Sequence, residues 1–399
     1  MAELILASAT ALGLLTLQLP ATAILLSRLL KGPSRHPPIK PASPTPELLG
    51  KVSVVVPTLN EAQRISPCLA GLSRQDYEVR EITIVDSNSQ DGTPDLVKAA
   101  GQKDPRFRVI TDDPLPKSWV GRPWALHNGF LHSSEQCEWF LGVDADIQPQ
   151  PGLVAGLVKI AEAEGYDLVS LSPQFILKYP GECWLQPALL MTLLYRFDSA
   201  GVDTQVAERV MANGQCFLCR RSALVQVGGY TSARSSFCDD VTLARNIAAG
   251  GFKVGFLDGA KVLKVRMYEG ALETWREWGR SLDLKDASSV AQLWGDLWLL
   301  FCVQALPLPI VLSYLLLPLP PLPPLPPLLI LAGLNSFLLA IRFALLLAIA
   351  PSYDRTEAKG GWLFWLSPLA DPLAVLRIFL SAARKPTRWR GRSYGSQPE

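Results

Sequence analysis

VSVVVPTLNE, residues 52–61, is the stretch on which the fold turns. Four of its first five residues are Val, and the run stops at Pro57, just before the polar Asn60-Glu61. β-Branched side chains crowd a helix and suit a pleated strand. An almost unbroken apolar run is buried on both faces, as a parallel strand inside a sheet is. The stretch therefore predicts a buried strand that delivers polar residues to its carboxyl end.

The neighbouring sequence repeats this plan. Glu81–Asp86 reads as a second strand, Arg108–Ile110 as a short third and Trp139–Val143 as a fourth ending at Asp144. Helical patterns at 93–101, 122–133 and 152–164 lie between them, and another is expected to open at Asn60-Glu61. Alternation of this kind predicts right-handed crossovers around a mostly parallel α/β sheet. Ligands of open α/β sheets bind beyond the carboxyl ends of the strands. Three strands end there in polar or acidic residues: Asn60-Glu61, Asp86 and Asp144-Ala145-Asp146.

Composition narrows the class. The chain has 399 residues, with 38 Lys+Arg against 36 Asp+Glu and 49% apolar residues. A disordered chain and a disulfide miniprotein are excluded. No basic surplus supports a nucleic-acid partner. Seven scattered cysteines, an odd number, fit reduced buried thiols, and the pair Cys216 and Cys219 lacks the second pair that a zinc site needs.

The ends read as membrane. Leu4 to Ser27 is uncharged and is followed at once by Arg28, Lys31 and Arg35. A signal peptide places its basic residues before the apolar run, whereas here Glu3 precedes it. The pattern predicts an anchor with the following chain in the cytoplasm. Leu297 to Ile341 is also uncharged and is split by PLPPLPPLPP at 318–327. Proline breaks a helix, so two crossing helices are expected near 296–317 and 328–350, joined by a rigid turn. Gly361 to Leu380 contains Asp371-Pro372 and precedes the basic RKPTRWRGR at 384–392, which favours a re-entrant or interfacial segment. Arg342, alone in an apolar helix, is expected to meet a lipid headgroup or to snorkel to the cytoplasmic face. Arg and Trp mixed between Lys264 and Lys285 suit helices lying at the interface. The expected division is an anchor at 1–35, a catalytic domain at 50–263, interfacial helices at 264–293, a transmembrane hairpin at 294–350, and a re-entrant or interfacial segment with basic tail at 351–399.

Several side chains are candidates for chemistry. Asp144 and Asp146 offer oxygen ligands to a hard cation, which also takes phosphate oxygens. Asp86 can accept hydrogen bonds from a base or ribose. Arg122 and His127 stand near a helix start, where phosphate binds. Asp239-Asp240 opens a helical pattern, which makes the pair either helix caps or a general base.

In order along the chain stand VSVVVPTLNE (52–61), IVDSNSQDGT (84–93), GRPWALHNG (121–129), VDAD (143–146), NGQCFLCRR (213–221) and FCDDVTLAR (237–245). Together they resemble the cytoplasmic domain of family 2 glycosyltransferases with the GT-A fold, a Rossmann-like, mostly parallel sheet. The likeness covers roughly residues 50–285, and the flanking helices resemble the integral-membrane members. It implies a nucleotide-sugar donor, UDP- or GDP-linked, held by Pro57, Asn60, Glu61, Asp86, Arg122 and Asp144, with Arg280 on the diphosphate. It implies Mg²⁺ or Mn²⁺ on Asp144 and Asp146, an acceptor side lined by Asn213, Gly214 and Gln215, and catalysis by Asp240 with Asp239 beside it. Processive members carry a Q/RxxRW motif. The matching ETWREWGRS (273–281) offers only Arg276 or Arg280 and no Trp after the Arg, which favours a single transfer. The nearest resemblance, strengthened by WRGRSY at 389–394, is to carotenoid, hopanoid and ceramide-type lipid glycosyltransferases. The acceptor so implied is a membrane lipid, carotenoid-type first, then hopanoid, glycerolipid or ceramide-like, with polyprenyl-phosphate transfer and polysaccharide synthesis as rivals. The implied location is a plasma membrane or a thylakoid-type inner membrane.

Overall fold

The computed structural model describes residues 2–204, 206–279, 282–316, 326–383, 388–389 and 392–393. The chain forms two compact units. One is built from Ser34–Ile176, Ser199–Met267 and the residues from Thr387 onward; the other from the residues up to Pro33, Leu177–Asp198 and Tyr268–Pro386. The expected catalytic stretch 50–263 thus contains a segment, Leu177–Asp198, that groups with the apolar helices.

Among the described residues of Ser34–Ile176 and Ser199–Met267 there are ten strands: β1 (Val52–Thr58), β2 (Val79–Asp86), β3 (Phe107–Thr111), β4 (Trp139–Val143), β5 (Ile147–Pro149), β6 (Leu168–Ser172), β7 (Gln174–Ile176), β8 (Cys216–Arg220), β9 (Val254–Asp258) and β10 (Leu263–Val265). Seven form one sheet in the order β3-β2-β1-β4-β8-β6-β9. β1 lies between β2 and β4 and is parallel to both, and β3 continues the parallel run. Val54, Val55 and Val56 have no exposed surface. β8 inserts antiparallel between β4 and β6. A smaller sheet sets β10 against β5 and β7.

Register brings the parallel strands to a common edge. Thr58 pairs with Asp86, and Asp86 with Thr111. The expected helices are present as Thr93–Lys103, Gly121–Leu131 and Leu153–Glu164. The helix expected to open at Asn60-Glu61 begins only at Ser66. The reason is local: Asn60 has a left-handed backbone, φ 55°, which stops helical winding. Helix Gly121–Leu131 packs on β1 and β2 through Val55, Val85, Ala125, Leu126 and Phe130. Gly129 makes that approach possible, because a Cβ there would stand 2.2 Å from Val55 Cγ1.

In the second unit, four helices are long and apolar enough to cross a membrane: Ile5–Ser34, Val290–Leu316, Pro326–Ser352 and Gly361–Ala382. The expected pair at 296–317 and 328–350 corresponds to the second and third, and 318–325 of the proline-rich turn lies outside the described residues. So does most of the basic tail at 384–392. Within 264–293, expected as interfacial helices, the described residues form a short helix at Gly270–Glu273, a π-turn at Thr274–Trp278 and the start of a helix at Val290. Gly270 has φ +69°, a conformation that cannot continue a helix. The uncharged runs hide amides that pair inside the unit. Gln18 Nε2 donates to Asn335 Oδ1 at 2.9 Å, and Asn335 Nδ2 returns a bond to Gln18 Oε1 at 3.0 Å. Arg342 does not snorkel; it is 2% exposed and bonded to Asp371, because a paired charge avoids the cost of meeting lipid alone.

The tight approach at Gly129 sets an expected outcome. Gly129→Ala pushes the helix off β1, and overpacking of this size costs about 1–3 kcal/mol. Thermal unfolding of the purified protein should show a lower midpoint; an unchanged midpoint would show that the helix moves freely.

Candidate active site

Most of the described residues predicted from sequence sit at strand ends, in loops or at helix starts. On the β1–β2 side, Asp86 closes β2 and is 6% exposed. Its Oδ1 accepts from Thr58 Oγ1 at 3.0 Å and Ser89 Oγ at 2.6 Å, and its Oδ2 accepts from the Ser89 amide at 2.9 Å. Ser89 Oγ in turn accepts the Asn60 amide at 2.8 Å, and Asn60 Oδ1 accepts the Gln90 amide at 2.9 Å. The Glu61 amide donates to Thr93 Oγ1 at 2.9 Å. Asn60, Glu61 and Asp86 are thereby joined through the polar turn SNSQDGT, and Pro57 lies on β1 opposite Val85 of β2. Ser89 and Thr58, which sequence reasoning passed over, carry the links; Ser89 lies inside the quoted turn but has no motif of its own.

The second group is centred on Arg122, in the first turn of helix Gly121–Leu131. Its Nε donates to Asp144 Oδ1 at 2.9 Å, its Nη2 to the Gly214 carbonyl at 2.7 Å, and its Nη1 to Asp239 Oδ2. One guanidinium thus ties together the end of β4, the loop before β8 and the start of helix Asp239–Ala249. A planar five-donor fork has the geometry for this, and a lysine does not. Burial alone would lower the Arg122 pKa, but Asp144, Asp239 and Asp240 raise it and keep the group charged. Gly214 is packed against the fork, since a Cβ would lie 2.5 Å from Nη2.

Asp240 stands beside this cluster. Its Oδ2 accepts the Gly214 amide at 2.7 Å and its Oδ1 the Val241 amide at 2.9 Å. Asp239 is buried at 4% exposure, whereas Asp240 keeps partial exposure. Asp239 is fixed by Arg122, and Asp240 by the Gly214 and Val241 amides. Burial raises the Asp240 pKa, with Arg122 and the two amides opposing. Asn213 and Gln215 bond each other, Nδ2 to Oε1 at 3.1 Å, and the Asn213 amide donates to Ser170 Oγ at 2.7 Å. Ser170, a buried hydroxyl in the middle of β6, gave no signal in the sequence.

Asp146 follows Asp144 after β4 has ended. Its Oδ1 is buried without a hydrogen-bond partner, and burial together with the Asp144 charge pushes its pKa up to about 7. Arg64 opposes that rise. No group of three or more His, Cys, Asp or Glu that could hold a metal ion occurs among the described residues. The two carboxylates with one orphaned oxygen nevertheless fit a hard divalent cation that takes its remaining ligands from a diphosphate. His127 stacks on Trp119 at 5.0 Å, and burial lowers its pKa. Arg280 lies outside the described residues.

The fork at Arg122 can be tested directly. Arg122→Met leaves Asp144 and Asp239 without their cation, and breaking a buried pair from one side costs about 3–5 kcal/mol. Denaturant unfolding should detect this loss; wild-type stability in the variant would refute the fork's structural role.

A sequence profile described as Glycosyl transferase family 2 matches residues 53–228. The chain is 23% identical over 262 residues to the 4,4'-diaponeurosporenoate glycosyltransferase of Staphylococcus haemolyticus, spanning 65% of this chain and 68% of that protein. It is 32% identical over 124 residues to the undecaprenyl-phosphate 4-deoxy-4-formamido-L-arabinose transferase of Pseudomonas syringae, spanning 30% of this chain and 34% of that relative. The solved mannosyltransferase of Pyrobaculum calidifontis, in complex with GDP-Man and Mn2+, superposes with a TM-score of 0.50 at 21% identity, covering 94% of this chain and 97% of that one. At that identity the likeness speaks for the fold. The sheet order and the profile agree: residues 53–228 form a family 2 glycosyltransferase domain, on a GT-A-like fold.

Proposed function

We propose that this chain is an inverting glycosyltransferase that moves one sugar from a UDP- or GDP-linked donor to a hydroxyl of a membrane lipid, most closely a carotenoid-type acceptor. The observation that carries the chemistry is Asp240, aimed by the Gly214 amide and left partly exposed beside a cluster of fixed charges. Direct displacement at a sugar carbon needs a base on the incoming hydroxyl and neutralisation of the departing diphosphate. Asp240 accepts the acceptor proton as the new bond forms. Asp144 and Asp146 would hold Mg²⁺ or Mn²⁺, which supplies Lewis-acid neutralisation of the diphosphate when bound. Asp86, Asn60, Glu61 and Pro57 shape the nucleoside end, and Asn213, Gly214 and Gln215 the acceptor side.

Two observations favour a lipid acceptor. Four helices of this chain have the length and composition to cross a membrane. The Staphylococcus relative is named for a carotenoid acid and the Pseudomonas relative for undecaprenyl phosphate. The second name supports a polyprenyl-phosphate acceptor as the alternative. The basic residues Arg28, Lys31 and Arg35 after the first apolar helix favour a cytoplasmic catalytic unit.

Asp240→Asn should cut transfer by about 10²–10⁴-fold while donor binding persists. Full transfer in this variant removes Asp240 as base. Because burial raises its pKa, Asp240 loses activity by protonation as pH falls, with a midpoint above the ordinary aspartate value of about 3.9. Steady-state rates from pH 4 to 8 should rise with pH; a flat profile contradicts the assignment. Membranes fed labelled nucleotide sugar and extracted with organic solvent should yield a neutral glycolipid. A phosphate-linked product supports the polyprenyl alternative, and an insoluble polymer overturns single transfer.

A further inference from the structure

Polar side chains inside long apolar helices must be matched without help from water. Four elements of the apolar unit nonetheless bring such groups together. Arg342 comes from helix Pro326–Ile349, Asp371 from the start of Asp371–Ala382, Gln304 from the π-turn Phe301–Ala305, and Tyr195 from the last turn of Pro180–Arg196. Arg342 grips Asp371 with two prongs, Nε to Oδ2 at 2.7 Å and Nη2 to Oδ1 at 3.0 Å. The same Oδ1 accepts Gln304 Nε2 at 3.1 Å. Tyr195 lies within the field of both charges. None of the four side chains is more than 3% exposed.

Three atoms of this cluster are buried without a partner: Arg342 Nη1, Gln304 Oε1 and Tyr195 Oη. They differ in kind. The guanidinium nitrogen only donates, the amide oxygen only accepts, and the phenol does either. Asp371 already cancels the charge of Arg342, so a further anion would meet a neutral pair and lose its hydration for little return. An uncharged group that both donates and accepts has the hydrogen-bonding capacity these three atoms call for, and a hydroxyl is the smallest such group. Buried polar groups left open in this way are ordinarily completed by a bound molecule.

We propose that Arg342, Asp371, Gln304 and Tyr195 form a binding site for one uncharged hydroxyl, carried by a water molecule or by a lipid alcohol lodged among the helices. The site has no part in the sugar transfer above and does not depend on it. Its effect is to join four chain segments through one guest, where direct side-chain contact leaves three atoms unmatched.

Tyr195→Phe tests this, since it removes only an oxygen that has no other hydrogen-bond partner. With the guest present, a hydrogen bond is lost, and the melting midpoint of the full chain in detergent should fall by about 2–4 °C. An empty site gives the opposite sign, because deleting an unmatched buried oxygen relieves a penalty; an unchanged or higher midpoint overturns the proposal. Native mass spectrometry of the delipidated protein separates the two sources. A lipid alcohol retained by wild type and lost from Tyr195→Phe assigns the lipid. The same midpoint loss with no retained lipid assigns water, and both results uphold a hydroxyl site. Inorganic phosphate serves as the anion probe. A phosphate-dependent rise in midpoint that Tyr195→Phe abolishes would show an anion site and refute the uncharged guest.

Discussion

The active-site half of this enzyme depends on one buried guanidinium. Arg122 bonds Asp144, Asp239 and the Gly214 carbonyl at once, so three chain segments far apart in sequence are held in one geometry. A charge so enclosed is tolerable only when its donors are matched. That requirement works in both directions. The carboxylates need the cation, and the cation needs Gly214 to have no side chain. Asp240 draws its own position from the same loop, through the Gly214 amide. The placement of Asp240 is therefore tied to the loop that satisfies Arg122.

The other half of the site depends on parallel register. β1, β2 and β3 end level with one another at Thr58, Asp86 and Thr111. A parallel sheet aligns carboxyl ends, and each loop leaving that edge starts beside its neighbour. Asp86 then organises its surroundings by accepting three bonds, from Thr58 and Ser89. The left-handed turn at Asn60 belongs to the same cluster: Asn tolerates that backbone, and its side chain bonds the facing turn.

The apolar unit applies the same rule with fewer charges. Gln18 and Asn335 exchange bonds, and Arg342 is matched by Asp371. Each pair joins segments that van der Waals contact between Leu side chains would hold without a fixed register. Polar pairs there specify which helix faces which.

The sequence by itself determined the first four strands, the helices between them from Thr93 onward and the apolar spans. Those follow from neighbours two to four residues apart, whose periodicity depends on no distant contact. β4 at Trp139–Val143 and the helix opening at Asp239 were legible for that reason. The set of candidate acids was legible too, because the motifs occur in one order. Tertiary structure decided the rest. Nothing local shows that Arg122 meets Asp239 rather than solvent, that Asp240 and not Asp239 keeps its exposure, or that Ser170 steadies Asn213. Nor does an isolated Arg342 announce Asp371. Such pairings are fixed by how the sheet orders its strands and how the helices pack, and desolvation makes each buried charge select the one partner that the topology brings within reach.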